Sequence, residues 1–195
     1  LWPLHTQRLL DSARRLRMPT PDIPSILNRL QKLAQHGPAA LCGKVIVTRG
    51  QGARGYGIEG CSQPTEILSV HDYPAHYRLW QRDGVTLGVC QARLGASSLL
   101  AGLKTLNRLE QVLLKAELEQ RGLLEGVTLD ESGCVVECVT ANLFWCRDSV
   151  VYTPVLARSG VAGVMRAWVL SQLGQLGLSC REVSAPLHEL LSADA

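Results

Sequence analysis

The chain has 20 Lys and Arg residues, and only four of them are lysine: Lys32, Lys44, Lys104 and Lys115. Lys104 stands in an apolar run, LLAGLKTLNRLE over residues 99–110, where a charged amine is costly to bury. Arginine keeps its proton, whereas a desolvated lysine can lose one and act as a nucleophile. A lysine that condenses with a carbonyl needs that property. The plain alternative is a lysine that snorkels from a helix start into water. Lys104 alone does not separate the two.

Two further features extend the chemical reading. Glu137 is a carboxylate on an otherwise apolar strand, CVVECVTANLF over residues 134–144. Beside a pyridine nitrogen, such a group keeps the nitrogen protonated and makes the ring an electron sink. Taken alone, a solvent-facing strand residue is the simpler account. The segment SGVAGVMR, residues 159–166, is a glycine turn running into a helix. Free backbone N–H groups and the positive helix end make such a turn a phosphate seat. Together, the amine, the carboxylate and the turn describe a pyridoxal-phosphate site. The seven cysteines are odd in number and scattered, which suits reduced thiols in the cytoplasm rather than a disulfide framework. Cys134 and Cys138 lack partners at zinc-ligand spacing, so no metal is expected.

These residues need elements to position them. Periodicity predicts a helix over 5–17 and a second over 23–35, capped by Asp22 and ended by Gly37-Pro38. Strands are expected over 41–49 and 65–71 around a glycine-rich loop at 50–57. Residues 73–79 read as a linker between a small N-terminal α/β domain (1–72) and a larger cofactor-binding domain (80–195). Within the latter we expect a strand over 85–92 and a helix over 107–121, with Leu106, Leu109, Leu113 and Ala116 on one side. Three or four strands follow over 126–153, with a hairpin turn at 130–133. A helix opened by Gly163, a strand over 179–184 and a short helix over 187–191 complete the domain. Elements mix without strict alternation, which implies an α+β fold. The net charge of +3 is mild and its basic residues are spread, against a nucleic-acid surface. No apolar run reaches membrane-spanning length.

The ordered segments resemble the fold-type IV pyridoxal-phosphate family. They are residues 5–9, 48–56, 67–70, 73–77 (YPAHY), 100–112 (LAGLKTLNRLEQV), 137–145 and 160–166. The resemblance implies a two-domain, D-amino-acid-aminotransferase-like α+β fold, pyridoxal 5'-phosphate as cofactor, a small-molecule substrate and a homodimer. The YPAHY and KTLNRLEQV segments favour the aminodeoxychorismate lyase branch, which forms 4-aminobenzoate and pyruvate for folate synthesis. Alternatives are a branched-chain or D-amino-acid aminotransferase, or a non-catalytic truncated homologue acting as a binding module. By the resemblance, Lys104 holds the cofactor and shuttles protons, and Glu137 faces the pyridine nitrogen. Arg8 clamps the phosphate, and Val164 and Met165 offer it their amides. Arg54, Tyr56 and Arg108 are implied on the substrate side, and Asn107 behind the lysine. Met165 stands where aminotransferase relatives often carry threonine, so only its amide is carried over. Members of the family have further strands before the Arg8 helix and continue past residue 194, so the chain is expected to be incomplete at both termini.

Overall fold

The structure is a computed structural model that describes residues 1–35, 37 and 40–195. It divides into two compact units, Trp2–Asp83 and Gly84–Ala195, the second including Leu1.

In the first unit, α1 (Trp2–Arg15) and α2 (Ile23–Ala34) precede an antiparallel pair, β1 (Leu41–Thr48) and β2 (Thr65–Asp72), and α3 (His76–Asp83) closes the run. Asp22 caps α2, its carboxylate accepting the Ser25 N–H at 3.0 Å. This satisfies one of the donors a helix start leaves open. The expected stop at Gly37-Pro38 includes Pro38, which lies outside the described residues. Ile26 is fully buried, and Arg29 on α2 is ion-paired to Glu66 on β2. The segment read as a linker, 73–79, carries the start of α3. Its rings interlock: Tyr73, His76, Tyr77 and Trp80 lie with centroids 4.6–5.8 Å apart. That aromatic contact explains why the stretch is structured rather than open.

The second unit holds two three-stranded sheets. In one, β3 (Leu87–Leu94) runs parallel to β4 (Glu125–Asp130), which pairs antiparallel with β5 (Val135–Cys138). The parallel step is made by α4 (Leu109–Gln120), as a crossover requires. In the other, β6 (Trp145–Arg147), β7 (Val150–Pro154) and β8 (Cys180–Val183) lie in that order. There α5 (Val164–Gln175) connects the parallel strands β7 and β8, and α6 (Leu187–Leu191) follows. The β4–β5 hairpin turns where expected. The Asp130 carboxylate accepts the Ser132 and Cys134 N–H groups, and Gly133 takes a left-handed φ of +82°.

Strands β4 and β5 are buried on both faces. Cys90, Leu94, Leu114, Leu118, Val136 and Val139 cluster together, and Val127, Leu129, Val135 and Cys138 form a second cluster. Apolar residues therefore point to both faces of these strands instead of alternating with solvent-facing ones. On α4 the expected core stripe is overturned. Leu114 and Leu118 face the sheet, while Leu106, Leu109, Leu113 and Ala116 are exposed. The helix has two apolar faces, and periodicity alone does not say which one the sheet takes.

Candidate active site

Glu137 lies in the middle of β5, opposite Thr128 of β4, whose hydroxyl donates to the Glu137 carbonyl at 2.7 Å. The side chain is only 5% exposed, so the solvent-facing alternative does not hold. Its Oε2 accepts the Val161 N–H at 2.9 Å and the Asn142 Nδ2 at 3.4 Å. Burial pushes the carboxyl up to about 7, against the Val161 N–H and the positive charges of Arg108 and Lys104. A carboxylate so placed is poised between its charged and neutral forms.

The turn at 160–163 is pressed onto this carboxylate. Gly160 has φ +81°, and a Cβ there would meet Leu156 Cδ2 and Val136 Cγ1 at 2.8 Å and Glu137 Cδ at 3.3 Å. At Gly163 a Cβ would fall 1.9 Å from Asn142 Oδ1. Asn142 also donates to the Val161 carbonyl at 2.8 Å, tying strand end to turn. Gly163 is the N-cap of α5 and offers no side-chain cap. The first intrahelical bond reaches back from Ala167 to Gly163. The amides of Val164, Met165 and Arg166 therefore have no acceptor within the helix. Val164 is buried, and the Met165 side chain is half exposed.

Lys104 arrives on the loop between β3 and α4. That loop is stapled to the turn: Gly102 N–H donates to Gly160 O and Ala162 N–H to Gly102 O, both at 3.0 Å, forming a parallel bridge with Val161. At its start, Gly95 N–H donates to Glu110 of α4 at 3.0 Å. The expectation that Lys104 is shielded by its leucines is corrected. Lys104 is exposed, as are Leu99, Leu106 and Leu109, while Ala101 and Leu103 turn inward. Leu99, Leu106 and Leu109 flank the lysine in sequence but do not enclose it in this chain. Asn107, expected to order this loop, is exposed. The residue that grips it is Arg108, whose guanidinium donates to the Leu103 and Thr105 carbonyls.

Lys104, Arg108, Glu137, Val164 and Met165 thus share the second unit. Arg8, on α1, belongs to the first unit, where it is half-buried, and desolvation draws its guanidinium below the ordinary value. Arg54 and Tyr56 are also in the first unit, on an exposed loop, and Tyr56 is fully exposed. Two functional-looking side chains were missed from sequence. Asn142 was signalled only by a polar residue after an apolar strand. Glu125, 4% exposed, accepts the Val139 and Thr140 N–H groups at 2.9 and 3.1 Å and so fixes the turn after Glu137. Its signal was an acid opening an apolar strand. All seven cysteines are free, and no metal-binding group of His, Cys, Asp or Glu occurs among the described residues. Nor is any helix among them long and apolar enough to cross a membrane.

The donor set suits pyridoxal phosphate. It offers a primary amine, a buried carboxylate able to share a ring proton, and unfilled helix-start amides for a phosphate. The glycine at 160 lets the turn close onto the carboxylate, where a Cβ would clash with Leu156 and Val136.

Comparison with known proteins agrees. An aminodeoxychorismate lyase from Vibrio harveyi is 42% identical over 193 residues, covering 99% of this chain and 71% of that protein. The crystal structure of 4-amino-4-deoxychorismate lyase from Pseudomonas aeruginosa superposes with a TM-score of 0.89 at 42% identity, covering 98% of this chain and 70% of that one. A Methanocaldococcus jannaschii protein with a provisional branched-chain-amino-acid aminotransferase name is 31% identical over 196 residues, 97% of this chain and 66% of its own. The chain thus spans about two thirds to seven tenths of these relatives' length. The class IV amino-transferase family matches across residues 1–195, and the chain belongs to that family.

Proposed function

We propose that the protein is a pyridoxal-phosphate-dependent aminodeoxychorismate lyase, converting 4-amino-4-deoxychorismate to 4-aminobenzoate and pyruvate. The observation that carries the cofactor chemistry is the bonded path from the Lys104 loop through the 160–163 turn to buried Glu137. The choice of lyase is supported by 42% identity to two lyases, against 31% to the aminotransferase-named protein.

When bound, pyridoxal phosphate supplies an aldehyde for amines and a ring that accepts the electrons of a breaking bond. Lys104 would hold the cofactor through its amine. Once displaced by the substrate amine, it would take the proton from the amine-bearing carbon. Glu137 would hold the proton of the ring nitrogen. The Val164 and Met165 amides would bind the phosphate, joined by Arg8. Expulsion of the enolpyruvyl group as pyruvate leaves an aromatic ring, a driving force that amino-group transfer lacks. Arg54 and Tyr56 remain the proposed substrate-side residues of the first unit. The exposed leucines near Lys104 favour a homodimer whose second copy covers them. The unpaired cysteines suit a reducing, cytoplasmic setting.

The test is product formation by the protein expressed in full. With 4-amino-4-deoxychorismate it should release pyruvate and 4-aminobenzoate in equal amounts. Lys104→Ala should lower the rate by at least about 10²–10⁴-fold while the circular dichroism spectrum is kept. Turnover of amino-acid/oxo-acid pairs in place of lyase products would select the aminotransferase alternative.

A further inference from the structure

We infer that Arg108 is a positioning residue that clamps the backbone on both sides of Lys104, rather than a ligand of the substrate's carboxylates. The geometry is specific. One Nη of Arg108 donates to the carbonyl of Leu103, the residue before the lysine. Its Nε donates to the carbonyl of Thr105, the residue after it, at 3.3 Å. A planar guanidinium can brace two carbonyls at once in a fixed relation, which a lysine ammonium on a flexible stem does not.

The clamp also has an anchored base. Arg108 is the N-cap residue of α4, and the Val112 N–H donates to its carbonyl at 3.1 Å. The helix itself packs on the sheet through Leu114 and Leu118. On the far side, Gly102 is bonded in both directions to the 160–162 turn, whose Val161 N–H holds Glu137. Arg108 and Glu137 attract each other electrostatically. The loop is therefore gripped from α4 at residues 103 and 105 and from the turn at residue 102. Lys104 itself is exposed and sits between these grips. The backbone on either side of it is thus held at residues 102, 103 and 105. A substrate-binding arginine would present its guanidinium outward, whereas two donor directions of this one are committed to the loop.

The inference rests on Lys104 being the reactive amine, and two measurements separate its failure from failure of that reading. The first uses the cofactor-free protein, compared as wild type, Arg108→Lys and Arg108→Met. Amide exchange at Ala101, Gly102, Leu103 and Ala162, all hydrogen-bonded N–H groups of this junction, should quicken at least about tenfold in both variants. The amides of β4 and β5 should not change. Unchanged exchange at those four positions would overturn the clamp whatever the enzyme's activity. The second is a split of kinetic constants on the loaded protein. Misplacement of the lysine should lower kcat by about tenfold to a hundredfold and leave KM within about twofold. A raised KM with intact kcat would instead identify Arg108 as a carboxylate ligand. The pH titration of the bound cofactor's absorbance adds a third readout. Arg108→Met removes a positive charge near the lysine and should shift the titration upward, whereas Arg108→Lys keeps the charge and should not. If Arg108→Met fails to fold, the lysine variant alone carries the exchange and kinetic tests. A loss of activity that tracked only thermal stability in both variants would also overturn the inference.

Discussion

At the residue scale the decisive group is Glu137. A carboxylate normally titrates near 4.5, and here burial carries it up to about 7 despite the Val161 N–H and two nearby cations. The folded state therefore holds the proton more tightly than the unfolded chain does. Stability from this group is full below about pH 4.5 and declines as pH rises through about 7. A shift of that size corresponds to roughly 3 kcal/mol as an upper bound. Urea unfolding of the cofactor-free protein should thus show lower stability at pH 8 than at pH 5. Glu137→Gln should flatten that difference, and in the loaded enzyme it should impair proton abstraction more than cofactor binding. An unaltered pH dependence in the variant would assign the effect to other groups. The sequence disclosed Glu137 because a lone acid in VVEC is conspicuous. It could not disclose the partners, since Val161 is 24 residues away and contributes only a backbone N–H. Arg108 was visible as a cation, but its direction was not. The sequence placed it on the substrate side, four residues from the proposed reactive lysine, and its hydrogen bonds to the Leu103 and Thr105 carbonyls carry the proposed reassignment.

At the element scale the site is a junction of ends: the end of β5, the turn before α5 and the loop before α4. Glycine makes the junction possible. Gly160→Ala would force a left-handed residue to carry a side chain, at about 1–3 kcal/mol from the backbone alone. It would also thrust a Cβ to within 2.8 Å of Leu156 and Val136. Chemical denaturation should record the loss of stability, and the affinity for pyridoxal phosphate should fall with it. Gly163→Ala attacks the same junction by displacing Asn142, whose Oδ1 lies 1.9 Å from the added carbon. Normal cofactor affinity in both variants would remove the turn from the site. The elements themselves were largely legible. Asp22 before an apolar period, the β-branched run VIVT and Gly163 before α5 each mark a boundary by local physics, and local signals survive without a structure. The faces of α4 were not legible. Leu109 and Leu113 form as good a stripe as Leu114 and Leu118, and the choice between them is made by the sheet the helix packs on.

At the scale of the whole molecule, that second stripe demands a cover. Leu109, Val112 and Leu113 lie on one side of α4 and are 61–71% exposed, on a helix whose opposite side is buried against the core. A helix apolar on both sides is the pattern of one enclosed on both sides. The stripe begins five residues after Lys104, so whatever covers it also approaches the proposed reactive amine. The proposed homodimer makes the second copy that cover, and association and catalysis then become linked. Burying each of these side chains contributes about 1.5–3 kcal/mol, so a charge placed among them should weaken the dimer by at least about tenfold to a hundredfold. Leu113→Glu touches none of the groups proposed to bind cofactor or substrate. Sedimentation of the protein expressed in full should give a dimer at micromolar concentration, and the variant should dissociate in the same range. Lyase activity per chain should then rise with protein concentration in the variant and be flat in the wild type. A wild type that sediments as a monomer yet retains full activity would leave the α4 stripe uncovered and detach the dimer from the chemistry.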